Sequence, residues 1–198
     1  MLRKLLIATL IIPSLTGCAL TTATTPLTYK PSAGVMAVPG AKNVVVHVVV
    51  KNDKKHKRIS RKKDGFGIPM ASIYAKGPIS KTVQDAFQKE LTARGFGISG
   101  SGLVAIIATV NELHSTFELG MFEGESVAHL SMVVEVMTKN GKEFFSKNIT
   151  STGETGAMVA AGHDASEAVD RALHAGMHAL FADPAFIHAL FTAQKASQ

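Results

Sequence analysis

Three residue sets in this 198-residue sequence could carry chemistry: a single cysteine, eight histidines and a dense run of lysines and arginines. His174 and His178 stand four apart, a spacing that can set two imidazoles on one metal ion. The run reads His174-Ala-Gly-Met-His178, without the glutamate that follows the first histidine in hydrolytic zinc helices. Glu167, Arg171, His174 and His178 fall on one polar stripe, where Glu167 pairs with Arg171 at i,i+4 and the arginine opposes a bound cation. No metal is expected there. His47, inside a valine run, is expected as a hydrogen-bonded core histidine, and His129 on the wetter face of a sheet. A Gly-x-Ser-x-Gly elbow is absent. Gly97-Ile-Ser-Gly-Ser-Gly102 follows a helix and precedes a strand, the reverse of the order that opens a helix onto a phosphate, and is read as a turn. No carboxylate pair stands out as acid and base. The expectation is a protein that is not an enzyme and takes no cofactor.

The basic residues are concentrated. Lys51–Lys63 contains eight Lys/Arg and one Asp, a net charge of +7 within a chain of net +6. This segment is placed in a loop between two strands. Lys54, Lys55, Lys57, Arg58, Arg61, Lys62 and Lys63 are the candidate contacts to an anionic partner: a lipid headgroup, a lipopolysaccharide core or an acidic envelope protein. Each cation near an anionic surface contributes ~1 kcal/mol. The plain alternative is a solvated loop that aids solubility. Charge alone would also suit nucleic acid, but aromatics are only 6% and Trp is absent, which leaves little for base stacking; no nucleic-acid partner is expected.

The cysteine is Cys18, and it sits at the end of a leader. Arg3 and Lys4 make a positive start. Leu5 to Ile12 is apolar apart from Thr9, far below the roughly 20 residues needed to span hydrocarbon and of the size of a signal-peptide core. Leu15-Thr16-Gly17-Cys18 follows. Small residues before the cut, with a Cys directly after it, resemble the lipobox of bacterial lipoproteins. That resemblance implies cleavage before Cys18, a diacylglycerol thioether on its sulfur and an acylated amino group. Several acyl chains anchor firmly, since each buried CH₂ contributes ~0.8 kcal/mol. With its one cysteine so used, the chain has neither a disulfide nor a thiol nucleophile. Ala19 is not the aspartate that marks inner-membrane retention in enteric-type sorting, so the expected destination is the outer membrane, with the protein facing the periplasm.

These residues need a scaffold. Residues 18–40 hold the lipidated end and a Thr/Pro-rich tract, read as a flexible linker of ~25 Å root-mean-square span. The globular domain is expected over residues 41–194 and a frayed tail over 195–198. Val44–Val50 is β-branched on both faces, as in a central strand. Gly67–Ala75 is a weak strand candidate. Gly77-Pro78 opens a helix with Ile79, Val83, Ala86, Phe87 and Leu91 on one face, stopped by Gly95 with Phe96 folded back. Leu103–Val110 is a buried strand extended towards Phe117. Val127–Met137 alternates, and Asn140-Gly141 signals a two-residue hairpin turn that sets Val136 opposite Phe145 and Met132 opposite Ile149. Thr150–Gly162 is read as a loop or loose strand end, Asp164 as the N-cap of the next helix and Asp183-Pro184 as the start of a short last one. The fold class is α+β: one domain, a largely antiparallel sheet of about four strands, and two main helices on one face.

The leader, the Thr/Pro tract, the helix Val83–Phe96 ending in Leu-Thr-Ala-Arg-Gly-Phe, the strand Leu103–Val110, the Asn140-Gly141-Lys142 hairpin and the C-terminal amphipathic helices together resemble the YajG-type outer-membrane lipoproteins. The extended basic run departs from that pattern. The resemblance implies an anchored envelope protein and carries over no active site. The expected function is a non-catalytic accessory or interaction lipoprotein of the periplasm; the alternative is a lipoprotein that holds a lipid-like or envelope-derived small molecule.

Overall fold

A computed structural model of the chain describes residues 21–52, 57–63, 66–119, 124–157 and 162–198. The elements in chain order are β1 (Ala23–Thr25), a 3-10 turn (Ala41–Asn43), β2 (Val45–Asn52), β3 (Arg58–Lys63), β4 (Pro69–Ala75), α1 (Ile79–Ala93), β5 (Gly97–Ile98), β6 (Val104–Leu119), β7 (Gly124–Thr138), β8 (Glu143–Ala157), α2 (Gly162–Phe181) and α3 (Pro184–Ala196). The five-stranded sheet has the order β5-β2-β6-β7-β8, and a second sheet has the order β1-β4-β3. The α+β class stands. Five strands replace the expected four, a second sheet is added, and three helices replace two.

Side-chain alternation builds the core. Val46 and Val48 on β2, Val104, Ile106, Ala108 and Val110 on β6, and Leu130, Met132, Val134 and Val136 on β7 are buried. They join one cluster with the buried stripes of α1, α2 and α3. The alternate residues of β7, from His129 to Met137, are half-buried, as their polar-apolar alternation demands. Within β6 the pairing shifts between Val110 and Glu112. That bulge resets the phase, so that Leu113, Ser115 and Phe117 are again the buried set. Phe87, Phe181, Phe186 and the partly buried Phe145 form a ring-to-ring chain, with centroids 6.3, 5.2 and 5.5 Å apart, that ties α1, α2, α3 and β8 together.

At the end of α1 the Phe96 N–H bonds the Leu91 carbonyl and the Gly95 N–H that of Thr92, both at 3.0 Å; this is the paired closure expected of a C′ glycine. The β7–β8 hairpin holds Val136 opposite Phe145 and Met132 opposite Ile149, but the route differs. Its loop is closed by Thr138 N–H to the Lys142 carbonyl at 2.9 Å, which leaves three residues in the turn, with Gly141 at φ 85. A register shift between Val136 and Met137 then makes up the one-residue slip, the pairing of turn and bulge usual for this loop length.

Other expectations are corrected. Of the two readings of Thr150–Gly162, the strand end holds as far as Ala157: Thr150–Ala157 continues β8. α2 begins at Gly162, placing Asp164 inside its first turn. α3 runs to Ala196, with Ala193 and Gln194 buried; the Gln194 side chain accepts from the Val45 N–H at 3.3 Å, so the end of the chain is docked. His47 is half-buried on the sheet face opposite Val46 and Val48, since it alternates with them. The stretch from residue 21 to 40, expected as a free linker, lies on the domain: β1 pairs in parallel with β4, Ala23 opposite Ile73, and Tyr29 is 4% exposed.

Candidate functional site

The most organised polar cluster begins on α1. Glu90 lies seven residues after Val83 and three after Phe87, so it falls within the helix's apolar stripe and is fully buried. Its carboxylate accepts from the Tyr29 hydroxyl, from the Arg94 guanidinium one turn on, and from the Ser32 backbone N–H at 3.1 Å. Burial alone would raise the Glu90 pKa, but these three donors outweigh it and hold the carboxyl below its ordinary value. Burial and the Glu90 carboxylate push the Tyr29 phenol up. Arg94 stacks its guanidinium over the Phe181 ring at 4.4 Å, and its carbonyl accepts from the Val38 N–H at 2.9 Å. Lys89 Nζ donates to the Tyr29 carbonyl at 2.8 Å. Every one of these contacts grips the segment between residues 29 and 38, or the residues that grip it. With its acceptors taken by three donors, Glu90 is built to hold rather than to exchange protons.

A second set of contacts runs along α2. Asp170 accepts from the Thr28 N–H at 3.1 Å and from the Thr28 hydroxyl at 3.2 Å. Burial pushes the Asp170 pKa up to about 6 against the pull of the Thr28 bonds, with the charge of Glu167 adding to the rise. An open cleft of about 700 Å³ separates this helix from residues 24–30; Lys30, His163, Asp170, Arg171 and His174 are among its lining residues. The Glu167–Arg171 pair forms at 2.6 Å. His174 is exposed, stacks on the Tyr29 ring at 6.0 Å and meets the Ser32 hydroxyl at 3.3 Å. Among the described residues no group of three or more His, Cys, Asp or Glu side chains is placed to hold a metal.

The basic run is partly a strand. Lys57 precedes β3, and Arg58, Arg61, Lys62 and Lys63 lie on it, paired antiparallel to β4; Lys54, Lys55 and Cys18 lie outside the described residues. The solvated-loop reading fails for β3 because Ile59 and Ser60 are buried. Ser60 donates its hydroxyl to the Ser115 carbonyl at 2.9 Å, and Lys63 donates from Nζ to the Phe117 carbonyl at 2.5 Å. These bonds lie along β6 beyond Val110, the last of its residues paired with β2 among the described residues. A groove of about 290 Å³ remains between the two strands, lined by Arg58, Arg61, Lys63, His114 and Phe117 among others. His129 is half-buried and faces His114 across the β6–β7 ladder, with ring centroids 5.8 Å apart.

Sequence reasoning missed Tyr29, Glu90, Arg94 and Asp170. The Glu90 signal was present: a carboxylate in phase with an apolar stripe, four residues before an arginine. Tyr29 carried none, being an aromatic inside a tract that has no period.

No helix among the described residues is long and apolar enough to cross a membrane. A search of curated proteins finds no match. The fold is similar to the crystal structure of protein XCC0632 from Xanthomonas campestris, at 15% identity and TM-score 0.58, covering 90% of this chain and 99% of that one. A minor lipoprotein from Acinetobacter baumannii is a more distant match, at 10% identity and TM-score 0.39, covering 78% of this chain and 91% of that one. The model of the family described as uncharacterized lipoprotein, Lipoprotein_16, matches residues 31–190, most of the chain, and the chain belongs to that family.

Proposed function

We propose that this chain is an envelope lipoprotein held by an acylated Cys18 at the outer membrane, facing the periplasm, and that it acts there as a non-catalytic accessory or interaction protein. The observation that carries this reading is how the segment after Cys18 is held. A buried carboxylate, a buried arginine and a raised-pKa aspartate are all spent on residues 28–38. Buried ionic groups contribute little net stability but fix one arrangement. A fixed arrangement matters when the segment leads to an anchor, because it sets which face of the domain meets the bilayer and which faces a partner. The family membership supports the anchor. The test is metabolic labelling with an alkyne palmitate in the native host, followed by membrane fractionation. Wild type incorporates label and sediments with outer membranes; Cys18→Ala loses both. Label retained by Cys18→Ala would sink the reading.

The ligand-holding alternative has one observation in its favour, the cleft of about 700 Å³ along α2, a volume in the range of small-molecule sites. Its lining mixes charged side chains with apolar surface.

A further inference from the structure

Where the anchor leaves the domain follows from the pairing of β1. Ala23 lies opposite Ile73 of β4 in parallel register. Cys18 is five residues before Ala23, a reach of at most ~17 Å at the rise of an extended chain. Five residues back along β4 from Ile73 is Ile68. The same length of chain that separates Cys18 from β1 therefore also separates the β1–β4 pair from the start of β4. A domain of this length has a radius of gyration of about 16 Å, so so short a connection confines the lipid to one end of the molecule.

That end has a particular surface. Five large hydrophobic side chains among the described residues are exposed, and three of them, Phe66 at 90%, Ile68 at 57% and Met70 at 39%, fall within five residues at the entry to β4. The other two, Met36 and Ile98, belong to the opposite end. Ile98 is on β5, which pairs with the first residues of β2, and Met36 is two residues from Val38, which bonds the C-cap of α1. Alongside the apolar cluster runs β3, where Lys63 sits opposite Pro69 and Arg61 opposite Ser72. From Lys57 to Lys63 there are five cations and no acid. Apolar side chains that project beyond a belt of Lys and Arg are the pattern of an interfacial contact, with the rings and aliphatic groups below the headgroups and the cations at the phosphates.

We propose that the β3–β4 end of the domain is a membrane-contacting surface: Phe66, Ile68 and Met70 enter the interface of the leaflet that holds Cys18, and Arg61 and Lys62 contact its phosphates. This rests on the anchored reading above. It assigns the basic strand an occupant, the bilayer, and it turns the opposite end of the sheet, where Ile98 lies, towards the periplasm.

The chain has no tryptophan, so a single indole reports its own depth. Phe66→Trp, Ile68→Trp and Ile98→Trp would each be produced as the full chain in the native host, purified in the lipidated form and reconstituted into vesicles of phosphatidylethanolamine and phosphatidylglycerol. Acylation is read by mass on the same samples. Brominated acyl chains should quench the indole of Phe66→Trp and of Ile68→Trp about twofold, as expected for a group ~5–10 Å into the boundary, and leave that of Ile98→Trp unchanged. Adding Arg61→Ser and Lys62→Ser to Phe66→Trp should reduce the quenching. An acylated chain whose indoles at positions 66 and 68 stay in water overturns the orientation and leaves the anchor standing. A shift seen in native envelopes but not in vesicles would mean a protein covers this end, and also overturns it. A chain without acyl groups overturns both.

Discussion

At the scale of single residues the molecule is governed by two carboxylates with opposite displacements. Glu90 is held below its ordinary pKa by Tyr29, Arg94 and Ser32 in spite of burial. Its contribution to stability is present above the ordinary carboxylate range and lost as the pH falls through the lower folded value. Replacing it leaves Arg94 buried without its partner and the Tyr29 hydroxyl unpaired, so Glu90→Ala should cost about 3–5 kcal/mol, measured by urea unfolding. Tyr29→Phe removes one hydrogen bond and should cost about 1 kcal/mol. Asp170 carries the other sign. Its pKa rises from 3.8 to about 6, so the folded state binds its proton more tightly than the unfolded chain does. That stability is full below pH 3.8 and is lost as the pH rises towards about 6. Asp170→Asn should flatten the stability profile across that window and leave the acid limb set by Glu90 in place. A wild-type curve with no descending slope there would count against the assigned shift.

At the scale of elements the decisive contact is β8 against α2. Gly153 lies where a Cβ would meet the Ala172 nitrogen at 2.2 Å and the Ala168 carbonyl at 2.4 Å, both backbone atoms of the helix. Neither can give way without moving a whole element, so Gly153→Ala should destabilise by about 3 kcal/mol or more. Gly156, three residues on, has nothing within 4 Å of its added Cβ, and Gly156→Ala should change stability by less than ~0.5 kcal/mol. Thermal unfolding of the two variants side by side checks both. The same close approach explains why a Gly- and Thr-rich segment, which reads as a loop, is a strand. Glycine at 153 is there to let helix and sheet touch, and the β7 ladder supplies the hydrogen bonds that propensity does not.

At the scale of the whole molecule one core unites the two sheets and three helices. Ile59 and Ile73 of the small sheet belong to the same buried cluster as the strands of the large one. The aromatic chain through Phe87, Phe181, Phe186 and Phe145 crosses four elements. Phe186→Ala, emptying a fully buried site at its centre, should cost about 4 kcal/mol and lower the melting temperature by ~10 °C. Unfolding should remain one transition by near- and far-ultraviolet circular dichroism alike, since no part of the core is separate. An early loss of α3 alone would contradict that unity.

The sequence by itself determined the local pattern: that β2, β6 and β7 carry core positions, which face of β7 is buried, where α1 stops, and which residues pair across the Asn140-Gly141 hairpin. These follow from periods of two and 3.6 residues and from the φ demands of glycine, all readable within a dozen positions. Tertiary structure decided the rest. The fate of residues 21–38 depends on Glu90, some sixty residues away, and on Asp170, more than a hundred further along than Tyr29. The end of the basic run, Arg58–Lys63, becomes a strand because β4 and the part of β6 beyond Val110 offer partners for its backbone and for Ser60 and Lys63. Edge strands and docked tethers have no period of their own. What orders them is a hydrogen-bonding surface made by other parts of the chain, and it exists only once the chain has folded.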